Sequence, residues 1–426
     1  MKKFLYFFLS VVIIVLISKV YQSSLPEYNP KRDYVDLENE ILKAFILAED
    51  NSTIELPEGH FLFSQSLSLD NKKRVIIKGK GMDKTVLSFK GQTQGAEGIK
   101  ITNSQNIVLQ DFSIEDAAGD NLKVSDTDTL TIKRIRTAWT GKVSTENGAY
   151  GIYPVLSSNI LIEECEAIAA SDAGIYVGQS KNVKIKNNKA YYNVAGIESE
   201  NSTNVEIHNN EIFQNTSGLL IFDLPGLTVY GKNIKAFDNQ IFDNNQINFG
   251  VPGSIVSSVP KGTGVIIMAT KNVDFFNNNV SNHKTSNLAI VSYKVFAADK
   301  DLESGSQISK TASEGIRFID SEFEKDKGYN PYPGRVYIHD NKFSNTYRFP
   351  TLSNDFGKLW YIKNNARIPD IVYDGILPKG IKLNSNEVRI CVKNNDKDSF
   401  VYLDAENEFI NFSNDLSLFN CELKLW

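Results

Sequence analysis

Histidine and tryptophan are scarce in this 426-residue chain, at 4 and 3 residues, which leaves little room for a His-rich metal centre. His60, His208, His283 and His339 are scattered; His208 and His339 fall at equivalent places in a repeat described below and read as repeat residues rather than ligands. No Gly-rich phosphate loop, nucleophile elbow or His-x-x-His pair is present, so no motif points to nucleotide, acyl-transfer or zinc chemistry. Basic excess is missing as well. With 46 Lys and Arg against 51 Asp and Glu, the net charge is −5, and no nucleic-acid partner is expected. An apolar run of about 20 residues, enough to span a bilayer, is also lacking. The run from Phe4 to Ile17 is shorter and follows Met1-Lys2-Lys3, the shape of a signal peptide. Cleavage and export to the periplasm or cell envelope are expected. An uncleaved signal anchor is the alternative, and that segment would then be the chain's one membrane contact.

Cysteine is nearly absent, with Cys165, Cys391 and Cys421. In an oxidising compartment two of them can pair. Cys391 and Cys421 share the C-terminal segment, whereas Cys165 falls at a repeat position where inward-facing residues belong. The expected pairing is Cys391–Cys421 with Cys165 buried and free; three reduced thiols are the alternative.

What the chain has is a repeat. Gly98-Ile99, Gly151-Ile152, Gly174-Ile175, Gly196-Ile197, Gly218-Leu219 and Gly264-Val265 fall into register, and Asn121-Leu122 fills the same place between the first two. A second landmark, Asn or Thr before an aliphatic residue, recurs at Asn106, Thr129, Asn159, Asn182, Asn204 and Asn272. A third recurs at Asn188, Asn210 and Asn278, and in the Gly218 coil both marks slip to Asn233 and Asn239. The spacing implies insertions at Thr140–Gly148 and Phe222–Tyr230; the stretch from Gly218 to Gly264 reads as one coil with two insertions, or as two coils. Val183-Lys184-Ile185 and Val205-Glu206-Ile207 alternate with period 2, as half-buried strands do. Gly and Asn tolerate the left-handed backbone that sharp turns between strands require. Stacked Asn side chains can bond along such a ladder.

The expected fold is therefore all-β: a single right-handed parallel β-helix, with an N-terminal helical cap over Leu37–Ala48 and a C-terminal cap. The boundaries are a signal peptide or anchor at 1–20, a linker at 21–36, N-terminal cap and first coils at 37–94, repeat coils at 95–349, and a capping region at 350–426.

The segments Ile54–Phe61 and Val75–Phe89 resemble the opening coils of pectin-lyase-like β-helices. "YGIYPV" at Tyr150, "SDAGIYVGQS" at Ser171, "NVAGIESENS" at Asn193, "LLIFDLPGL" at Leu219 and "VPKGTGV" at Val259 resemble a family of exported parallel β-helix repeat proteins. That resemblance covers roughly residues 95–405 and implies the fold but no assigned activity. The wider superfamily holds polysaccharide lyases, hydrolases, uronate epimerases and periplasmic maturation factors, and fold alone does not choose among them. The catalytic His motif of mannuronan epimerases of this fold is not visible, which argues against an epimerase.

If the aliphatic residue after each Gly faces inward, the next faces out. That places Lys100, Lys123, Tyr153, Tyr176 and Glu198 in one outward file, with Leu220 and Ile266 beyond. Aromatic rings and charges on such a face suit sugars, and the two insertions are expected to wall the groove. A plain solvated sheet face is the alternative. Acids gather beside the file: Asp120 and Asp172 precede coil starts, Glu198 and Glu200 share a strand, and Asp223 sits in an insertion. Paired carboxylates serve as acid and base in glycoside hydrolysis or bind Ca²⁺; elimination on a uronate would need Lys123 or Arg136 as base or neutralising group. The expected catalytic candidates are Asp172, Lys123 and Glu198. Asp172 has a turn-capping role as its alternative. Lys100, Tyr153, Tyr176, Gln179, Glu200, Asp223 and Arg136 are the expected binding residues. No metal site or cofactor is expected, Ca²⁺ being the open alternative, and the expected partner is a polysaccharide or a second exported protein. The leading expectation is a non-catalytic binding surface. A polysaccharide lyase or glycoside hydrolase is the first alternative, and a maturation factor for an exported metalloprotein the second.

Overall fold

The computed structural model describes residues 25–295, 326–396 and 399–426; the expected signal segment lies outside them. Coils stack by parallel pairing into a right-handed solenoid. The first strand of each coil, such as Tyr150–Val155, Ala173–Gly178, Ala195–Glu200, Ser217–Phe222 and Thr263–Met268, joins one 11-stranded sheet. Second strands such as Ser158–Glu163 and third strands such as Glu166–Ile168 build the remaining faces. In two coils these run together as Gln105–Glu115 and Asp128–Ala138, bent at Asp111 and Arg134, where φ is 67° and 49°. One continuous apolar core fills the solenoid from Ile41 to Phe419.

The second landmark is left-handed as the sequence suggests, but the Gly landmark is not. Gly98, Gly151, Gly174, Gly196, Gly218 and Gly264 lie inside first strands without positive φ. A methyl group on each would meet the next coil's backbone carbonyl at 2.5–3.0 Å. Asn106, Thr129, Asn159, Asn182, Asn204, Asn233 and Asn272 all have positive φ, so they bend the chain at the start of each second strand. Asn188, Asn210, Asn239, Asn278, Asn341 and Asn395 form a buried ladder, each side-chain Nδ2 donating to the next Oδ1 at 2.9–3.0 Å. Cys165 occupies the rung before it, with its amide donating to Asn188 Oδ1 at 2.9 Å. It is buried and free, while Cys391 and Cys421 are disulfide-bonded. His208 and His339 are indeed repeat residues, stacked with Phe237 and Phe276 at 4.7–5.2 Å.

Gly218 to Gly264 is one coil, because Leu219 pairs with Val265; its insertions fill the stretches after Phe222 and after Phe242. The helix Glu38–Ile46 buries Ile41 and Phe45 against the first coils. Residues expected to be a linker are instead docked. Glu27–Tyr28 pairs antiparallel with Gly141–Lys142, Tyr34–Val35 pairs with His60–Phe61, and Arg32 forms a buried ion pair with Glu115 at 2.5 Å. At the far end, Ile371–Tyr373, Ile390–Lys393 and Phe400–Tyr402 extend the same sheets past residue 349, and the helix Asp355–Lys363 packs Trp360 beside them. Among the described residues no helix is long and apolar enough to cross a membrane.

Candidate functional site

The outward face of the 11-stranded sheet carries two files of side chains. Register pairs Lys100 with Lys123, Lys123 with Tyr153, Tyr176 with Glu198, Glu198 with Leu220, and Leu220 with Ile266. The second file runs Ser125, Val155, Gly178, Glu200, Phe222 and Met268. Gly178 supplies the gap in it. A methyl group there would collide with the Tyr176 hydroxyl, whose ring lies along the strand.

Over these files opens a cleft of about 500 Å³, within the ordinary range for small-ligand sites. Lys123, Tyr150, Tyr153, Asp172, Tyr176, Gln179, Glu198 and Glu200 line one part of it, and Leu220, Phe222, Leu224, Val256, Ile266 and Met268 line another. The three tyrosines form one cluster, with ring centroids 4.5–4.8 Å apart. Burial raises the hydroxyl pKa of all three, and the neighbouring carboxylates add to this.

Asp172 and Glu198 are 8% and 2% exposed. Burial is the largest influence on each carboxyl and favours its neutral form. Asp172 is pushed to about 8, with Glu200 adding to the rise and a Tyr150 hydrogen bond opposing it. Glu198 is held well above the usual carboxylate range, by burial first and then by Asp172 and Glu200. Glu200, more open to the cleft, is raised to about 7, with a Tyr176 hydrogen bond working against burial.

Asp172 is not a turn cap, since among the described residues no backbone amide donates to its carboxylate. That bland role falls to two other acids. Asp120 accepts from the Tyr150 amide at 3.2 Å, and Asp223 accepts from the Gly231 amide at 2.7 Å and from the Thr270 hydroxyl at 3.3 Å. Asp223, expected to bind substrate, therefore pins its insertion. Burial raises both to about 7.

Two other expectations, Arg136 and Lys100, are corrected. Arg136 lies on another face of the solenoid, paired with Asp83 and Glu166 at 2.6 Å each; its residue sits in the long second-and-third strand, not the first. Lys100 continues the file but stands outside the cleft, paired with Glu97 at 3.5 Å. Lys123 does reach the cleft, but Glu97 lies 3.7 Å from its ammonium, which sits 5.2 Å above the Tyr153 ring.

The walls also differ in part. The Phe222–Tyr230 insertion forms one, tied down where Gln179 Oε1 accepts from the amide and hydroxyl of Thr228 at 3.1 and 2.8 Å. Ser254–Val259, from the second insertion, forms the other. The Thr140–Gly148 loop is taken up by its pairing with Glu27–Tyr28. Tyr150 was missed by sequence reasoning. Its register row otherwise holds small residues, including Ala173, Ala195, Ser217 and Thr263, and one large residue in a row of small ones was the available signal. Among the described residues, no three His, Cys, Asp or Glu side chains group as a metal site.

Comparison with solved structures finds several similar chains. The Azotobacter vinelandii mannuronan C-5 epimerase AlgE4 A-module is 14% identical over 86% of this chain and 96% of its own, with a TM-score of 0.48. A mutant of the DFA-IIIase from Arthrobacter chlorophenolicus A6, in complex with DFA-III, is 10% identical over 88% and 94%, at 0.48. The polygalacturonase from Erwinia carotovora ssp. carotovora is 12% identical over 76% and 96%, at 0.43. No match is found among curated proteins. The model of the right handed beta helix region matches residues 76–234 and 136–416, and together with the coil register this makes the chain a member of that parallel β-helix family.

Proposed function

We propose that the cleft is a saccharide-binding site. The observation that carries this reading is the convergence of three tyrosines with the carboxyl groups of Asp172, Glu198 and Glu200 in one walled cleft, Asp126 adding a fourth, exposed one. Tyrosine faces suit the apolar faces of sugar rings, and neutral carboxyls offer both a hydrogen-bond donor and acceptors to sugar hydroxyls. The ligand is a neutral sugar. Lys123 is the one cation lining the cleft among the described residues, and Glu97 already sits beside it. A polyuronate would bring negative charge to a cleft whose one cation already has Glu97 beside it, with Arg136 paired on another face. The N-terminal run and the Cys391–Cys421 disulfide support a site that works outside the cytoplasm.

One observation favours acid–base catalysis as a second reading. Burial favours the protonated form of Asp172 and Glu198 in a cleft, the form a general acid needs. Burial pushes Asp172, Glu198 and Glu200 the same way, however, and among the described residues none of the three has an ion-pair partner to hold it as base or nucleophile, which places binding first. The test is calorimetric titration of the whole protein with a panel of neutral oligosaccharides. Binding that weakens about 10-fold in Tyr153→Ala, a loss of about 1.4 kcal/mol, supports the reading. A panel that never binds, or binds the variant equally well, sinks it.

A further inference from the structure

The cleft changes character between two adjacent coils. In the first file Tyr176 and Glu198 give way to Leu220 and Ile266, and in the second Glu200 gives way to Phe222 and Met268. An outward sheet face on a solvated solenoid is ordinarily polar. These apolar side chains pack against the insertions in a cluster, separate from the solenoid core, that also takes in Tyr153 and Tyr176, and they line the open cleft. Among the described residues no charged side chain lines the cleft beyond Glu200. Ile266 in addition lines a narrow apolar gap with Ala289, Trp360 and Val372, beside the helix Asp355–Lys363. That gap, of about 20 Å³, is room for a water and not for a chain, so the apolar surface open to a ligand is that of the cleft itself.

We infer that the ligand is an amphipathic glycoside: a neutral sugar carrying an aliphatic chain, with the sugar at Tyr153 and Tyr176 and the chain along Leu220 and Ile266. The inference rests on the saccharide reading and adds the chain to it. Neighbouring strands lie about 4.8 Å apart, so a head group over Glu198 delivers its next atoms directly onto Leu220. Each methylene moved from water to such a surface strengthens binding by about 4-fold, and four of them on the order of 100-fold.

The experiment is calorimetric titration of the whole protein with methyl and octyl β-glycosides of glucose, galactose and mannose, kept below micelle formation, and with 1,2-octanediol. One octyl glycoside should bind on the order of 100-fold tighter than its methyl counterpart. In the double variant Leu220→Asn/Ile266→Asn that advantage should fall below about 5-fold while methyl glycoside binding holds. Should that variant fail to fold, Leu220→Thr alone carries the same comparison, because threonine suits a strand. Equal affinity for octyl and methyl glycosides overturns the chain and leaves the sugar reading standing. Octanediol binding as tightly as the octyl glycosides keeps the apolar surface but removes the sugar, overturning both readings. No binding of any octyl glycoside, or a preference that survives in the variants, also overturns the inference.

Discussion

Replacing Glu200 by Gln should stabilise the protein at alkaline pH and leave it nearly unchanged in acid. The folded chain raises this carboxyl from 4.5 to about 7, chiefly by burial. Between those values the folded state keeps a proton that the unfolded chain has already released. Stability contributed by the proton is therefore lost as pH climbs through that window and stays lost above it. That rise in pKa corresponds to about 3 kcal/mol as a ceiling. Glu200 faces the cleft, and solvent screening there reduces the expected gain of Glu200→Gln at pH 8 to on the order of 1–2 kcal/mol. In a chain of this length that moves the melting temperature by about 2 °C. Urea and thermal unfolding of both proteins at about pH 8 and about pH 4.5 would read it, the gain nearly vanishing at the lower pH. A Gln variant less stable at pH 8, or equally stabilised at both pH values, would refute the claim that this acid sits in the cleft at a cost to the fold.

Two further outcomes follow from the same geometry. Asn239→Ala removes a buried rung that donates to Asn278 and to the Ile207 carbonyl at 2.9 Å and accepts from the Asn210 amide at 3.1 Å. The orphaned groups should cost about 3–5 kcal/mol, against a few tenths for Asn233→Gly. The half-buried Asn233 side chain bonds only Asn204 and Asn272 among the described residues, and its backbone is left-handed; denaturant midpoints compare the two directly. Opening the Cys391–Cys421 bridge, whose cysteines are 30 residues apart, should cost about 3–4 kcal/mol, seen as earlier proteolysis of the C-terminal coils in Cys421→Ser.

The sequence reveals the coils because their turns demand particular residues. Asn204 must turn left-handed and Asn210 must satisfy both its neighbours, so each repeats at a fixed interval. The outward file follows from the same register, and Lys123, Tyr153, Tyr176 and Glu198 stand where it puts them. What the register cannot convey is which file element a loop covers, or where a carboxylate finds its partner. Asp223 and Asp172 look alike in sequence, yet the Gly231 amide claims only the first. Arg136 lies one turn further around the coil than a sheet-face argument can reach. The Thr140–Gly148 loop is diverted from the groove by Glu27–Tyr28, a segment with no periodicity of its own. Ser254–Val259 takes its place as wall from inside a gap whose coil count the spacing left open.

The most direct test is diffraction from crystals grown with a neutral glycoside that binds in solution. Sugar density is expected over the Tyr153 and Tyr176 rings, with hydroxyls within hydrogen-bond reach of Asp172, Glu198 or Glu200. Density seated instead on the His208, Phe237, Phe276 and His339 stack of another face, with the cleft filled only by water, would contradict a saccharide site in the cleft.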